Sequence, residues 1–369
     1  MKKILSLILV TVLLFFSCSK TNKGELLEIP VDIDQNNAVP LSTITDEIKA
    51  IALELTDESP INPDRIIRIL LHDDGVIVAE RIKILLFGMD GKFLRAVGNR
   101  GQGPGEYTSI RNLTVDVKNK RLFVNATTKL ICYDLNGNFL KESTMASDKL
   151  NIKDINYVNN DLLIIVEQAG RQDTKGSFNH SVIYKLNDDM QIMDSCTIRD
   201  TYFEKAGMLF LHPYENFMLY GNGTIYLYYS DIYFNEQNPF EPVLRDTLYS
   251  LKDNYLIPEL KLKFKNNGID GDGNKFIHLF NIYRSSQYIF AFYQNEHKKK
   301  FYHFCYDVKT GTGYNMQDGY TDDINNIDVP VKIRPLNLNT EMFYYWHTHI
   351  KPDDLEEPNP TLYIGTLKK

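Results

Sequence analysis

The sequence predicts an all-β fold, a six-bladed β-propeller with four-stranded antiparallel blades, and three observations carry that prediction. Short Tyr/Ile/Val/Leu/Phe runs alternate with Gly/Asn/Asp turns, and no window sustains a helical period. One five-residue pattern recurs six times. The last copy stands at the C-terminal end, one strand short of a full unit, so a strand from the N-terminal side must complete it.

The recurring pattern is an apolar pair, an aromatic, one further residue and an aliphatic, followed by a polar turn. It reads Leu85–Met89, Ile131–Leu135, Val182–Leu186, Thr247–Leu251, Phe304–Val308 and Tyr363–Leu367. The closing aliphatics fall 46, 51, 65, 57 and 59 residues apart, a period suited to a propeller blade. Only Gly365 departs from the aromatic position. Adjacent apolar residues such as Leu85-Leu86 and Phe304-Cys305 call for a strand covered on both faces, as in blades stacked face to face.

Each pattern is the third strand of a unit. Second strands precede it at Val76–Ala79, Arg121–Asn125, Leu162–Val166, Thr224–Tyr229, Tyr288–Tyr293 and Met342–His347. First strands such as Leu113–Val117 and Ile152–Val158 come before short turns, and fourth strands such as Phe93–Val97 and Phe139–Glu142 follow. Four strands in six units make a propeller. The missing fourth strand of unit six is assigned to Leu26–Ile33. Long connections are expected at Glu167–His180, Ser230–Arg245, Lys265–Lys275, Met316–Val331 and His349–Pro360, on one rim of the ring.

The N-terminal end supplies an address. Lys2 and Lys3 precede an apolar run from Ile4 to Phe16, too short for a comfortable span, which ends at Ser17-Cys18. This resembles a bacterial lipoprotein signal, in which cleavage leaves Cys18 carrying lipid. The expected organisation is a signal at 1–17, a lipidated tether at 18–25 and one propeller domain at 26–369. Because Ser19 follows the cysteine, the resemblance implies the outer membrane, with either face open.

The intact chain has a net charge of −7, and loss of Lys2 and Lys3 leaves 39 basic against 48 acidic groups, or −9. That balance argues against a nucleic-acid partner. The three remaining cysteines, Cys132, Cys196 and Cys305, do not form a disulfide framework and read as buried thiols. Cys132 and Cys305 sit in units two and five, across the ring and beyond disulfide reach.

Asn99–Tyr107 reads N-R-G-Q-G-P-G-E-Y. With the six-unit layout, it resembles the NHL-repeat-like six-bladed propeller lipoproteins of Gram-negative envelopes, matching at Gly101, Gly103, Pro104, Gly105, Glu106 and Tyr107. Asn359-Pro360-Thr361-Leu362 before the final strand is also similar to that family. The likeness spans the mature chain and implies the fold and the envelope address, with no defined activity.

Physically, the glycine segment joins unit one to unit two, where glycine permits positive φ and Pro104 stiffens the turn. It lacks the order of a phosphate loop. Two roles stand open: a turn near the channel with Glu106 pairing Arg100 or Arg111, or a ligand-facing loop. The ligand-binding candidates are Arg100, Gln102, Glu106, Tyr107 and Arg111.

Asp270, Asp272 and Asn274 carry the spacing that opens a calcium loop, but Lys275 and Asn281 occupy the positions where an EF-hand needs Gly and Glu. They are the weak metal candidates, and calcium is the one cofactor considered. His347 and His349 share a strand face without a third ligand, and read as rim histidines. No nucleophile elbow or catalytic thiol motif is present. The sequence reading is therefore an envelope lipoprotein: a non-catalytic propeller module, membrane-bound through its lipid, that binds a glycan, peptide or envelope protein. The alternative is a metal-assisted hydrolase or lyase with its site at the central channel.

Overall fold

The computed structural model describes residues 26–73, 75–127, 129–144, 151–203, 217–230, 244–350 and 357–369. The signal, Cys18 and the tether lie outside these residues, as do most of the expected connection Ser230–Arg245 and half of His349–Pro360. Six small antiparallel sheets form a ring. Blade 1 orders Ile66–His72, Gly75–Glu80, Lys83–Gly88 and Phe93–Ala96 from the channel outward. Blade 2 runs from Asn112–Asp116 to Phe139–Ser143, and blade 3 from Asn151–Val158 to Ile192–Phe203. Blade 4 spans Met218–Gly221 to Tyr255–Phe264, and blade 5 spans Ile277–Arg284 to Thr312–Gln317. Blade 6 places Arg334–Asn337 innermost, then Met342–His347 and Thr361–Leu367. All six sequence repeats form the third strand of a blade.

The core is divided among the blade interfaces. Six apolar clusters each join one blade to the next, from blades 1 and 2 around to blades 6 and 1. The paired apolar residues of the repeat explain how. Leu85 packs toward blade 6 and Leu86 toward blade 2; Phe304 faces blade 4 and Cys305 faces blade 6. Successive side chains of a strand point to opposite faces, so both faces must be apolar when both are covered.

Thr45–Ala52 closes the ring, pairing antiparallel with Thr361–Leu367. Leu26–Ile33 therefore does not make the closure assigned to it. Its Leu27–Val31 strand instead joins blade 4 as a parallel fifth strand, in register from Leu27↔Leu260 to Val31↔Phe264. The physical reason is amphipathicity: Ile29 and Val31 bury into the cluster between blades 4 and 5, while Glu28 and Pro30 face out at a sheet edge. From there the chain straps blade 5, where Asn37 N–H donates to Asn315 O at 2.7 Å and Asn315 N–H donates to Asn37 Oδ1 at 2.9 Å.

Two expected connections are strands. Glu167–His180 is mostly a hairpin extension of blade 3, whose strands Asp161–Asp173 and Gly176–Leu186 pair through Gln168↔His180 and Arg171↔Phe178. Within Met316–Val331, Tyr320–Asp322 pairs with Ile327–Val331. No described helix is long and apolar enough to cross a membrane. Cys132, Cys196 and Cys305 are free and buried. Burial pushes the Cys132 thiol up to about 11 and Cys305 up to about 12, so both stay protonated.

Candidate functional site

The channel is built by irregularities in its innermost strands. Pairing slips between Ile66 and Arg68, between Ile152 and Asp154, and between Leu279 and Asn281. Each slip adds one residue and re-aims those that follow it.

In blades 1 to 4 the result is a closed polar brace. Asp154 is fully buried, accepts from Asn112 Nδ2 at 2.6 Å and lies 3.9 Å from Arg68 Nη1. Arg68 also donates to Asn112 Oδ1 at 3.3 Å. The second oxygen of Asp154 accepts the backbone N–H groups of Phe217 and Met218 at 2.9 and 2.8 Å. One carboxylate thus connects four blades. Burial pushes its pKa above the usual carboxylate range, opposed by Arg68 and by these N–H donors.

Between blades 5 and 6 the channel side opens instead into a cleft of about 60 Å³. Its walls include the aromatic side chains of Tyr283, Phe290 and Phe292 of blade 5 and Tyr344 of blade 6, with Tyr283 and Phe290 stacked on each other at 4.8 Å. Its polar groups are Asn281, His303, Tyr320, Lys332 and Arg334. None of the described lining residues is acidic. The hairpin Tyr320–Asp322/Ile327–Val331 delivers Lys332 and Arg334 to the cleft, and its entry depends on Gly319. There φ is +126°, and a Cβ would lie 2.2 Å from Val331 O. The nearby Asp322 carboxylate is turned away, held by the Tyr345 hydroxyl and Asn325.

Among the described residues Lys332 and Arg334 make no ion pair. Arg334 rests over the Trp346 ring, 4.7 Å from its centroid. Burial, and then the two neighbouring cations, pull the His303 pKa down to about 3, so its ring is neutral at pH 7. His303 Nε2 is buried without a hydrogen-bond partner, and the buried Tyr320 hydroxyl faces the Cys305 thiol. This arrangement suits capture of an anionic group.

A second depression, of about 160 Å³, lies between blades 3 and 4 near the turns at Asn159 and Asp253. There Lys185 is already paired with Asp161 at 2.6 Å.

The residues expected from the sequence are placed elsewhere. Tyr107 is buried between blades 1 and 2, its hydroxyl donating to Val97 O at 2.9 Å. Glu106 Oε2 accepts the Gly103 N–H at 2.8 Å, in place of an arginine. Arg100 and Gln102 are exposed, and Arg111 reaches Asn151 Oδ1 at 3.5 Å. Asn359, from the other family-like motif, stitches a loop: its Nδ2 donates to Glu54 O and Ser59 O, and its Oδ1 accepts from Ile61.

Asp270 Oδ1 accepts the N–H groups of Asp272 and Asn274, which makes a self-capped turn. His349 Nε2 lies 2.6 Å from the Tyr363 hydroxyl. Among the described residues no three His, Cys, Asp or Glu side chains converge on a metal position. The cleft residues were not singled out by sequence. Their signal was faint: a Lys-x-Arg alternation at 332–334 with no acid beside it.

The profile of a domain of unknown function, DUF4934, matches residues 26–362, nearly the whole described ring. The chain belongs to the DUF4934 family. No curated protein matches this DUF4934 chain. Among solved structures, it is similar to a candidate exported protein of Bacteroides fragilis. The two share 15% identity over 94% of this chain and 100% of the other, with a TM-score of 0.62. That likeness is one of fold. Weaker likenesses are a DUF4221 member from Bacteroides vulgatus and the Pan2 WD40 domain of Neurospora crassa. The first shows 9% identity, 88% and 97% coverage and a TM-score of 0.46. The second shows 11%, 82% and 76%, and 0.41.

Proposed function

We propose that this DUF4934 chain is a non-catalytic binding module of the bacterial cell envelope, held at the outer membrane by lipid on Cys18. It receives a glycan, peptide or protein partner at the channel-side cleft between blades 5 and 6. The observation that carries the reading is that cleft: aromatic walls and two cations without acid partners, beside a channel half that is otherwise closed by its own polar groups. The address rests on the basic start, short apolar run and cysteine of the N-terminal sequence, and on the likeness to NHL-repeat-like envelope lipoproteins.

Two measurements test it. Wild-type protein and Lys332→Gln, screened against glycan and peptide arrays, should differ in the captured ligand; identical capture overturns the cleft as the site. Membrane fractions washed in high salt should retain the wild type and release Cys18→Ala, and retention of the variant overturns the lipid anchor. Turnover of a captured ligand that is lost on changing channel carboxylates would overturn the non-catalytic role.

A further inference from the structure

We propose that the cleft between blades 5 and 6 takes the carboxylate of a sugar acid, a ring of the uronic-acid type. This rests on the reading of the cleft as the binding site. The chain as a whole is acidic, at −7, yet the described lining contains two cations and no carboxylate. Such a local reversal of sign, in a concave site with low-dielectric walls, selects an anionic group.

The charge count narrows the choice. His303 is neutral at pH 7, so it contributes a hydrogen-bonding edge and no third positive charge. Arg334 offers the fork geometry that matches a carboxylate bidentately, and the exposed Lys332 adds one mobile ammonium. Two cations neutralise one carboxylate in full, and titration separates it from a phosphate, which the same Arg fork also fits. The volume, about 60 Å³, admits a carboxylate with its adjoining carbon and leaves the remainder of a sugar over the cleft mouth.

The walls then argue for a sugar as the carrier. Phe290, Phe292, Tyr283 and Tyr344 line the cleft, and of these Phe292 is half-buried and the others buried. A sugar ring has an apolar C–H face for the aromatic side chains near the mouth, such as the half-buried Phe292, while its carboxylate reaches inward to His303 Nε2, a buried polar atom without a hydrogen-bond partner.

The protein contains its own reporter. Trp346 is the single tryptophan of the sequence, and Arg334 lies over its ring. An anion that engages the guanidinium alters the field on the indole. The experiment titrates full-length protein in detergent with D-glucuronate, D-glucose, inorganic phosphate and N-acetyl-dialanine, following Trp346 emission and confirming each titration by calorimetry.

Glucuronate is expected to saturate the signal, and glucose, which has the same ring without the charge, to bind at least about tenfold more weakly. Lys332→Gln and Arg334→Gln should each weaken glucuronate about tenfold by calorimetry, Lys332→Gln with an unchanged urea midpoint. Glucose matching glucuronate overturns the sugar acid. So does tighter binding of phosphate or of the dipeptide, although either would leave the cleft standing as a binding site. A silent Trp346 with all four probes, together with array capture untouched by Lys332→Gln, overturns both the ligand class and the site.

Discussion

The two halves of the channel solve the same problem in opposite ways. Across blades 1 to 4, Arg68, Asn112 and Asp154 form a brace in which the buried carboxylate receives Asn112, Arg68 and backbone N–H groups. Across blades 5 and 6, Lys332 and Arg334 stand beside aromatic walls with no acid among the described lining residues. The first half uses charge to hold blades together; the second leaves charge available. A ring whose blades are built on one strand plan separates scaffold from site by where its innermost strands slip register and by which polar groups find partners.

The largest expected effect breaks the brace. Asp154→Ala removes the carboxylate beside the buried Arg68 and strips the N–H groups of Phe217 and Met218 of their acceptor. Removing one member of a buried pair costs about 3–5 kcal/mol, read as a lower urea midpoint at an unchanged slope. A midpoint within error of wild type would show that the brace does not hold the blades.

The next contrast is in pH. The folded pKa of His303 is lowered to about 3 from an ordinary 6.5, so only the unfolded chain takes up the proton between those values. Above pH 6.5 this group has no effect on stability; as pH falls below 6.5 stability is lost, until the folded ring also protonates near 3. Allowing for partial exposure of the ring, about 1–2 kcal/mol should disappear between pH 7 and pH 4.5. His303→Gln should shrink that difference, and an undiminished pH response would assign it to other groups, such as His278, whose pKa burial lowers to about 4.

Smaller effects sharpen the division. Tyr107→Phe removes the bond to Val97 O and should cost about 1 kcal/mol without altering ligand capture, if the glycine segment is scaffold. Loss of capture at full stability would return that segment to the binding surface. Arg334→Ala gives up only its stacking on Trp346, about 0.5–1 kcal/mol, yet should weaken capture at least about tenfold. A stability loss as large as that of Asp154→Ala would make the cleft a second brace.

The blades were legible because their signal is local. Leu85-Leu86 and Phe304-Cys305 show, within two residues, that both strand faces are covered. The closing strand was harder. Thr45–Ala52 is an outer strand with charged, exposed residues on one side and few apolar ones, whereas Leu26–Ile33 carries the stronger alternation and took the assignment. The likeness at Asn99–Tyr107 identified a packed turn, since Tyr107 and Glu106 serve the backbone around them. The cleft was not legible because Asn281, His303, Tyr320 and Arg334 come from separate strands. They meet only when blade 5 packs against blade 6, with one register slip at Leu279/Asn281, and neither leaves a mark at short range.

Ring closure also imposes an order of events. The Thr45 hydroxyl donates to Thr366 O at 2.6 Å, between residues 321 positions apart. The closing strand is synthesised long before its partner, so the circle cannot lock until Thr361–Leu367 is delivered. Thr45–Ala52 must wait unpaired while the intervening blades assemble behind it, an interval in which pairing with the wrong edge competes. Its run of Asp46, Glu47 and Lys49 discourages that mispairing while it waits.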